Sequence, residues 1–314
     1  MGRVLAEPAP GVVPPLAGAP KPTAGGRRPT GELRLRVMSA AVLAPLGLAC
    51  IWAGGAAWVA VVLLAAAGMA WEWVALCRMA AGRWPGVGVL VALAVALLVV
   101  VTSRGPGPVG GDGFASAVAL LVLAGAALPL GLAPGGRAAA AGGAAYLGVA
   151  VLSLLWLRAD PAAGRGNLVF VMLLVWASDI GAYFVGRAVG GPKLAPRISP
   201  GKTWSGSAGG VLAAALVGLC VAWGFEAWAG PRAGGGAGVA VMARAAVVAA
   251  VLAAVSQLGD LGESAVKRRF GQKDSGRLIP GHGGVLDRLD GVLAAAPVAA
   301  LLALDAGRGM ALWR

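Results

Sequence analysis

The hydrophobic pattern of this chain consists of long apolar runs separated by short polar segments. Most runs approach the roughly 20 mostly apolar residues that a helix needs to cross a bilayer. We predict nine spans, and their limits in chain order are 37–53, 56–76, 87–102, 114–133, 138–157, 167–186, 207–228, 238–258 and 291–307. The third run is short, and the fifth and ninth are rich in Ala and Gly, so eight or ten spans remain alternatives. The predicted fold is an all-α, polytopic transmembrane helical bundle.

Composition supports an integral membrane protein. The 314 residues are 59% hydrophobic and 12% charged, whereas soluble domains average about 25% charged residues. We predict a disordered cytoplasmic tail over 1–33, N-terminal membrane helices over 34–166, and a catalytic membrane region over 167–314 with polar loops 187–206 and 259–290. The tail lacks the apolar core of about 7–15 residues found in a signal peptide, so we expect it to be retained.

The distribution of cations predicts the orientation. If the N-terminus is cytoplasmic, the segments on that side carry 19 of the 26 Lys and Arg residues, and the opposite side carries six. Cytoplasmic loops are enriched in Lys and Arg, so we predict a cytoplasmic N-terminus and an external C-terminus. Both polar loops then face the cytoplasm, where nucleotides and divalent metals are available. The net charge of +13 does not indicate nucleic acid, because the cations lie between apolar spans.

The three cysteines have no metal-ligand spacing and form no disulfide framework. Cys50, Cys77 and Cys220 lie far apart, within or at the ends of apolar runs. We interpret them as small apolar fillers.

Segment 256–290 is the most polar part of the chain, with five carboxylates, six Lys or Arg residues and the only His, His282. Ionisable groups near hydrocarbon are costly and indicate function by default. Four polar residues stand at i, i+3, i+4 and i+7, on one face of a continuing helix: Asp260, Glu263, Ser264 and Lys267. A solvated helix face with a Glu263–Lys267 ion pair is the alternative, but it does not explain Asp260 at the membrane boundary.

The same segment then contains a glycine-rich turn and two more carboxylates. Gly281, Gly283 and Gly284 surround His282, so the backbone can bend closely around a ligand; a flexible turn with a surface His is the alternative. Asp287 and Asp290 open the ninth span, with Arg288 between them. These carboxylates can cap that helix, or they can join Asp260 in binding Mg²⁺, which takes carboxylates together with waters and phosphates.

The earlier segment 176–206 offers a second group of candidates. Asp179 lies inside its span, where a carboxylate indicates function unless it only joins helices by hydrogen bonds. Lys193, Arg197 and Lys202 follow the span. The run from Ser199 to Thr203 offers hydroxyls and backbone N–H groups to an anion, although it is not a Walker A loop. The alternative is that these cations only follow the positive-inside rule and extend to lipid headgroups.

These residues also resemble a known family. Residues 264–290 resemble the signature of the phosphatidate cytidylyltransferase (CDP-diacylglycerol synthase) family. The matching run is Ser264-x-x-Lys267-Arg268-x4-Lys273-Asp274-x-Gly276-x2-Ile279-Pro280-x-His282-Gly283-Gly284-x-x-Asp287-Arg288-x-Asp290. The motifs SQLGD-x-x-ES, WASD-x-GAYF-x-GR and K-x-x-P-x-ISP-x-KTW are similar to the same family in the same order, so the resemblance covers about residues 170–307. One loop departs from the family: Gly201 and Ser205 stand where the family has Lys and Glu.

The resemblance implies that CTP and phosphatidate react to give CDP-diacylglycerol and pyrophosphate. Phosphatidate already carries a nucleophilic phosphate oxygen, so cations and metals supply positioning and charge stabilisation instead of a strong base. A Mg²⁺ ion, with room for a second cation, is expected at the site. The resemblance also implies a multi-pass protein of the inner (plasma) membrane whose site faces the cytoplasm.

The resemblance also implies roles for individual residues. The expected metal ligands are Asp260 and Asp287, followed by Asp290 and Asp179. Phosphate charge is expected on Lys267, Arg268 and Lys202, with hydrogen bonds from Ser199 and Thr203. The remaining expected substrate-binding residues are Lys193, Arg197, Lys273 and Arg288, while His282 orients the glycine turn or a phosphate.

Two other functions remain alternatives at this stage. A CTP-dependent polyprenol or phytol kinase shares the membrane setting and the CTP site. A membrane transporter also places charges in spans, but transporters favour inverted repeats and broken midplane helices, and this chain shows no repeat. The sequence leaves a homodimer open.

Overall fold

A computed structural model of the chain describes residues 30–77, 134–228, 238–279, 283–307 and 309–314. Within these ranges there are seven helices and one two-stranded hairpin. The helices are α1 (Thr30–Ala53), α2 (Gly55–Leu76), α3 (Pro134–Ala159), α4 (Gly164–Val189), α5 (Trp204–Trp228), α6 (Val239–Arg269) and α7 (Leu286–Ala306). The strands are β1 (Lys193–Ala195) and β2 (Ser199–Thr203).

The prediction of a mostly helical protein with several candidate membrane spans is confirmed. Helices α2, α4, α5, α6 and α7 are each long and apolar enough to cross a bilayer. Helices α1 and α3 contain shorter apolar stretches, 41–53 and 145–159. The predicted spans 87–102 and 114–133 and most of the tail lie outside the described residues, so nine spans remains a prediction.

The hairpin is a departure from the predicted all-α fold. Strands β1 and β2 are antiparallel, with Lys193 opposite Thr203 and Ala195 opposite Ser199. Helix α4 ends at Gly190, whose φ of 65° is a conformation that glycine adopts readily. The segment that follows contains three prolines at four-residue intervals, and proline disrupts a helix interior. The chain therefore forms a short hairpin before α5 begins.

Helices α4 and α5 pack unusually closely. Five small residues at four-residue intervals form the buried face of α5: Gly206, Gly210, Ala214, Gly218 and Ala222. A Cβ atom at Gly210 would lie only 2.7 Å from the backbone oxygen of Ser178 in α4. Membrane helices associate through such small residues, because lipid is as apolar as leucine and gives no hydrophobic driving force.

The other helices complete one bundle. Helix α6 packs on α5, α7 packs on α6, and α3 packs on α7 and α2. Fully buried side chains at the centre include Phe170, Leu252 and Leu293, from α4, α6 and α7. These three helices position the polar residues that follow.

The bundle has two distinct ends. The loop end holds the hairpin together with residues 270–279 and 283–285, because the Arg268 Nε, just before the first of these stretches, donates a hydrogen bond to the Ile198 carbonyl at 3.2 Å. The two motif-rich loops therefore lie together, as the orientation prediction requires. The far end holds the C-terminal segment 309–314, where the N–H of Leu312 donates to Asn167 Oδ1 at 2.9 Å and Arg314 forms an ion pair with Glu226.

Candidate active site

The first charged pair at the loop end joins the hairpin to α6. The Lys202 ammonium lies 2.5 Å from Asp260 Oδ2, and the two side chains are 27% and 32% exposed. The Ser264 hydroxyl donates to the other Asp260 oxygen at 3.3 Å. The structure therefore brings together two predicted residues that are 58 positions apart, and it leaves both accessible to solutes.

The second charged group is deeper and joins α6 to α7. The Lys267 ammonium donates to Glu263 Oε1 at 3.0 Å and to Asp287 Oδ1 at 2.7 Å. Lys267 is 7% exposed, and Glu263 is 4% exposed. Glu263 Oε2 is buried without a hydrogen-bond partner among the described residues. The Lys267 ammonium therefore bridges a carboxylate of its own helix and one of α7.

Asp287 is also held by backbone groups. The Ser275 N–H donates to both Asp287 oxygens, at 3.1 and 2.9 Å, and the Gly284 N–H donates to Oδ2 at 3.0 Å. Asp287 therefore joins the loop before α7 to the helix itself. The capping alternative is realised only as a negative charge in the first turn of α7, because both backbone donors, Ser275 and Gly284, lie before the helix.

A carboxylate that the sequence analysis missed caps α7. Glu72, from α2, accepts hydrogen bonds from the Val285 N–H at 3.0 Å and the Leu286 N–H at 2.9 Å. The Ser275 hydroxyl donates to the same carboxylate at 3.3 Å. A negative charge at a helix N-terminus is stabilising. The signal was present in the sequence, because an acidic residue inside a predicted span indicates function by default.

Three carboxylates from three helices interact electrostatically beside the first pair. Asp179 of α4 and Asp290 of α7 each interact with Asp260, and they interact with each other. Asp179 is exposed and Asp290 is partly buried, and the Gly291 N–H donates to Asp290 Oδ1 at 2.7 Å. The charges on Lys202 and Arg288 oppose this negative charge at Asp179.

These donors suit a hard cation held jointly with a substrate. Within the described ranges, no three His, Cys, Asp or Glu side chains form a ready-made metal cage. Magnesium usually takes one or two carboxylates and completes its shell with waters and phosphates. Asp260 and Asp290 fit that requirement, because they supply carboxylate oxygens from facing helices. Asp287 fits it less directly, since both its oxygens already accept hydrogen bonds.

The predicted cations outside these pairs surround the site at the surface. Their side chains are exposed: Lys193, Arg197, Arg268, Lys273 and Arg288. Arg268 uses part of its guanidinium to bind the carbonyls of Ile198 and Gln272. The predicted residue His282 lies outside the described residues.

The predicted hydroxyl donors are placed differently from each other. Ser199 is partly buried in β2, whereas Thr203 is buried, and its Oγ1 accepts the Gly206 N–H at 3.1 Å. Thr203 is thus the N-cap of α5 in this structure. Ser205, one of the two departures from the family loop, donates to the Gly190 carbonyl at the end of α4, and Gly201 is exposed.

A second missed residue ties three helices together beneath the carboxylates. Gln257 of α6 donates to the Ser178 hydroxyl at 3.0 Å and to the Ser207 carbonyl at 3.1 Å. Ser178 lies on α4, adjacent in sequence to Asp179, and Ser207 lies on α5, about one turn from the hairpin. This polar network connects α6 to α4 and α5 within one turn of Asp179 and Asp260.

The cysteines lie apart from this chemistry. None of the three forms a disulfide, and burial raises the pKa of the Cys77 thiol to about 11. A thiol with that pKa is protonated at neutral pH, which agrees with the interpretation of Cys77 as a filler.

Comparison with known proteins finds a family and relatives that match most of the chain. A model of the cytidylyltransferase family matches residues 34–304. A protein of Brucella suis biovar 1 (strain 1330) named phosphatidate cytidylyltransferase is 42% identical over 268 residues, covering 84% of this chain and 91% of the relative. A protein of Pseudomonas aeruginosa with the same name is 39% identical over 288 residues, covering 88% of this chain and 99% of the relative.

Proposed function

The chain belongs to the cytidylyltransferase family, and from this membership we propose that it transfers CMP from CTP to phosphatidate in phospholipid biosynthesis. The products are CDP-diacylglycerol and pyrophosphate. The observation that carries the proposal is the meeting of two lysine–carboxylate pairs, Lys202–Asp260 and Lys267–Asp287, at one end of a membrane bundle. All four residues lie within the matched range.

The reaction needs two anions to be brought together. A phosphate oxygen of phosphatidate attacks the α-phosphorus of CTP and forms a new P–O bond. The bond from the α-phosphorus to the bridging oxygen breaks, and pyrophosphate leaves with the electron pair. Because the attacking oxygen is already ionised, the protein contributes mainly orientation and positive charge.

The lysines supply the central positive charge. Lys202 and Lys267 already bind carboxylate oxygens, and phosphate oxygens are equivalent partners for an ammonium. The exposed cations Lys193, Arg197, Arg268, Lys273 and Arg288 form a basic rim that attracts CTP and the phosphatidate headgroup. Ser199 adds a hydroxyl donor from β2. Thr203 contributes by holding the start of α5.

A Mg²⁺ ion is part of the proposal. Asp260 would hold it with Asp290 and Asp179, and Asp287 would join only in exchange for its bond to Lys267. When bound, the metal neutralises phosphate charge and orients the leaving group.

The membrane setting follows from the helices and the cation distribution. The helices of the described ranges support a multi-pass protein. We propose nine spans in the inner (plasma) membrane, with the N-terminus and the loop end in the cytoplasm, because 19 of 26 cations then lie on that side. CTP reaches the site from the cytoplasm, while the acyl chains of phosphatidate stay in the bilayer. Nucleic acid has no part in this reaction.

Position-specific labelling of CTP tests the proposal. Membranes that contain this chain receive phosphatidate, Mg²⁺ and CTP labelled in the α- or the γ-phosphate. We expect the α-label in lipid and the γ-label in pyrophosphate, with no transfer in matched membranes that lack the chain. Appearance of the γ-label in lipid would instead identify a CTP-dependent lipid kinase.

A further inference from the structure

We infer that Glu72 is a positioning residue for the CMP-transfer site, because its carboxylate fixes the segment 275–286 that holds Asp287. This inference rests on the proposed function for its kinetic consequence. Glu72 belongs to α2, outside the polar segments that carry the other site residues. It is 1% exposed, so its carboxylate is enclosed by the described residues.

Glu72 binds both ends of the segment. The Ser275 hydroxyl lies at its beginning, and the Val285 and Leu286 N–H groups lie at its end. A single carboxylate thus binds Ser275 and Val285, which are ten positions apart in sequence, next to the N-terminus of α7. Loss of this acceptor releases both ends together.

The residues at these two ends also bind Asp287. Ser275 donates its hydroxyl to Glu72 and its backbone N–H to both oxygens of Asp287. Gly284, adjacent to Val285, donates its own N–H to Asp287. The donors that orient Asp287 are therefore the residues that Glu72 holds, or their direct neighbours. Asp287 in turn orients the Lys267 ammonium.

The carboxylate of Glu72 is tightly enclosed. A Cβ atom at Gly276 would lie 2.5 Å from Glu72 Oε1, and one at Gly284 would lie 2.6 Å from Oε2. Real Cβ atoms do not approach this closely, so a side chain at either position would have to displace the Glu72 carboxylate. A displaced Glu72 side chain has no free space on this side, and its movement is passed to the loop.

A purely structural cap would affect only stability, so the test separates turnover from stability. Glu72→Gln keeps the length of the side chain but points an NH₂ group at a backbone N–H donor. Misplacement of a catalytic group by about 1 Å can cost on the order of 100-fold in rate. We expect kcat to fall about 10- to 100-fold, with KM for CTP changed less than about twofold.

The matched control is Glu226→Gln at the far end. Glu226 also accepts hydrogen bonds from another part of the chain, the Trp313 and Arg314 side chains. We expect this variant to lower the melting temperature in detergent and to keep the wild-type kcat. If Glu72→Gln and Glu226→Gln both keep the wild-type kcat, the inference is wrong.

Two further measurements cover the other outcomes. If Glu72→Gln fails to fold, Ser275→Ala replaces it, because that change removes only the hydroxyl; we expect kcat to fall about 2- to 10-fold, the kinetic equivalent of one hydrogen bond. Wild-type kcat in Ser275→Ala would then overturn the inference. Limited trypsin digestion after the exposed residues Lys273 and Arg277 should be faster in Glu72→Gln than in Glu226→Gln. This readout needs no turnover, so it tests Glu72 even if the wild-type chain transfers no α-label.

Discussion

Charge pairing at the level of single residues explains how a membrane bundle keeps so many ionisable groups. Lys267 is nearly buried, but Glu263 and Asp287 both bind its ammonium. Removing one partner of a buried ion pair is strongly destabilising, because it leaves an uncompensated charge. Lys202 and Asp260 are more exposed, so their pairing contributes little to stability and both remain available for ligands.

Asp287→Ala is the sharpest single change at the deeper pair. It removes one anionic partner of Lys267 and the acceptor of the Ser275 and Gly284 N–H groups. We expect CMP transfer to fall at least about 100-fold, while the chain still inserts into the membrane. The assay is α-label transfer by purified protein, with insertion checked by membrane fractionation.

Asp305→Ala is the matched control on the same helix. Asp305 is exposed in the last turn of α7, remote from the loop end. It should keep wild-type transfer. Near-normal turnover by purified Asp287→Ala would show that neither metal binding nor the orientation of Lys267 depends on this carboxylate.

The sequence predicted the charged residues of the site better than their supports. Lys202, Asp260, Lys267 and Asp287 could be chosen because ionisable groups are unusual in an apolar chain. Glu72 is equally unusual, but its partners are mostly backbone N–H groups more than 200 positions away. No spacing rule connects such groups, so only the folded chain shows what this carboxylate does.

At the level of elements, helix α6 and the hairpin together assemble the site. Helix α6 continues to Arg269, beyond the predicted span end at 258, and this extension places the predicted stripe from Asp260 to Lys267 above the apolar part of the bundle. The stripe was predictable because its spacing follows the helical repeat. The hairpin was not predicted, because its strands are only three and five residues long and the second contains Pro200, a residue that is rare inside strands.

The α4–α5 contact gives a prediction at this scale. In Gly210→Val the added Cβ atom would lie 2.7 Å from the Ser178 carbonyl oxygen, and the side chain would disturb the Gln257 network. Overpacking a close contact typically costs about 1–3 kcal/mol. We expect a lower melting temperature in detergent and reduced transfer, because Asp179 and Asp260 lie on the helices that would separate.

Gly224→Val on the same helix is the control. A Cβ atom at Gly224 has no neighbour within 4 Å, so the melting temperature and the transfer rate should match the wild type. Equal stability of the two valine variants would mean that α4 and α5 do not pack as closely as the structure shows.

For the whole molecule, the separation of the two ends is the main organising feature. The loop end gathers the motif-rich segments, and the far end is closed by Asp160, Asn167 and Glu226, which bind the C-terminal segment. Composition alone predicted a membrane protein, because few soluble domains are so poor in charge. It could not predict which helices are neighbours, since small residues occur on many faces of these helices.

The orientation of the ends can be tested by cysteine labelling. In a background with Cys50, Cys77 and Cys220 changed to Ala, Arg197→Cys places a thiol on the hairpin and Met310→Cys places one at the far end. Both positions are exposed. An impermeant maleimide should label position 197 only in inverted vesicles and position 310 only in right-side-out vesicles. Labelling of both positions from one side would contradict the proposed topology.

The role of Asp260 at the centre of the site is tested most directly by the rate of CMP transfer by purified Asp260→Asn. Asn keeps the size of the side chain but removes the charge that pairs with Lys202 and would bind Mg²⁺. We predict Mg²⁺-dependent transfer of the α-label by the wild type and by the exposed far-end control Asp305→Asn, and transfer at least about 100-fold slower in Asp260→Asn at an unchanged melting temperature. Transfer by Asp260→Asn at the wild-type rate would show that CMP transfer does not depend on this carboxylate.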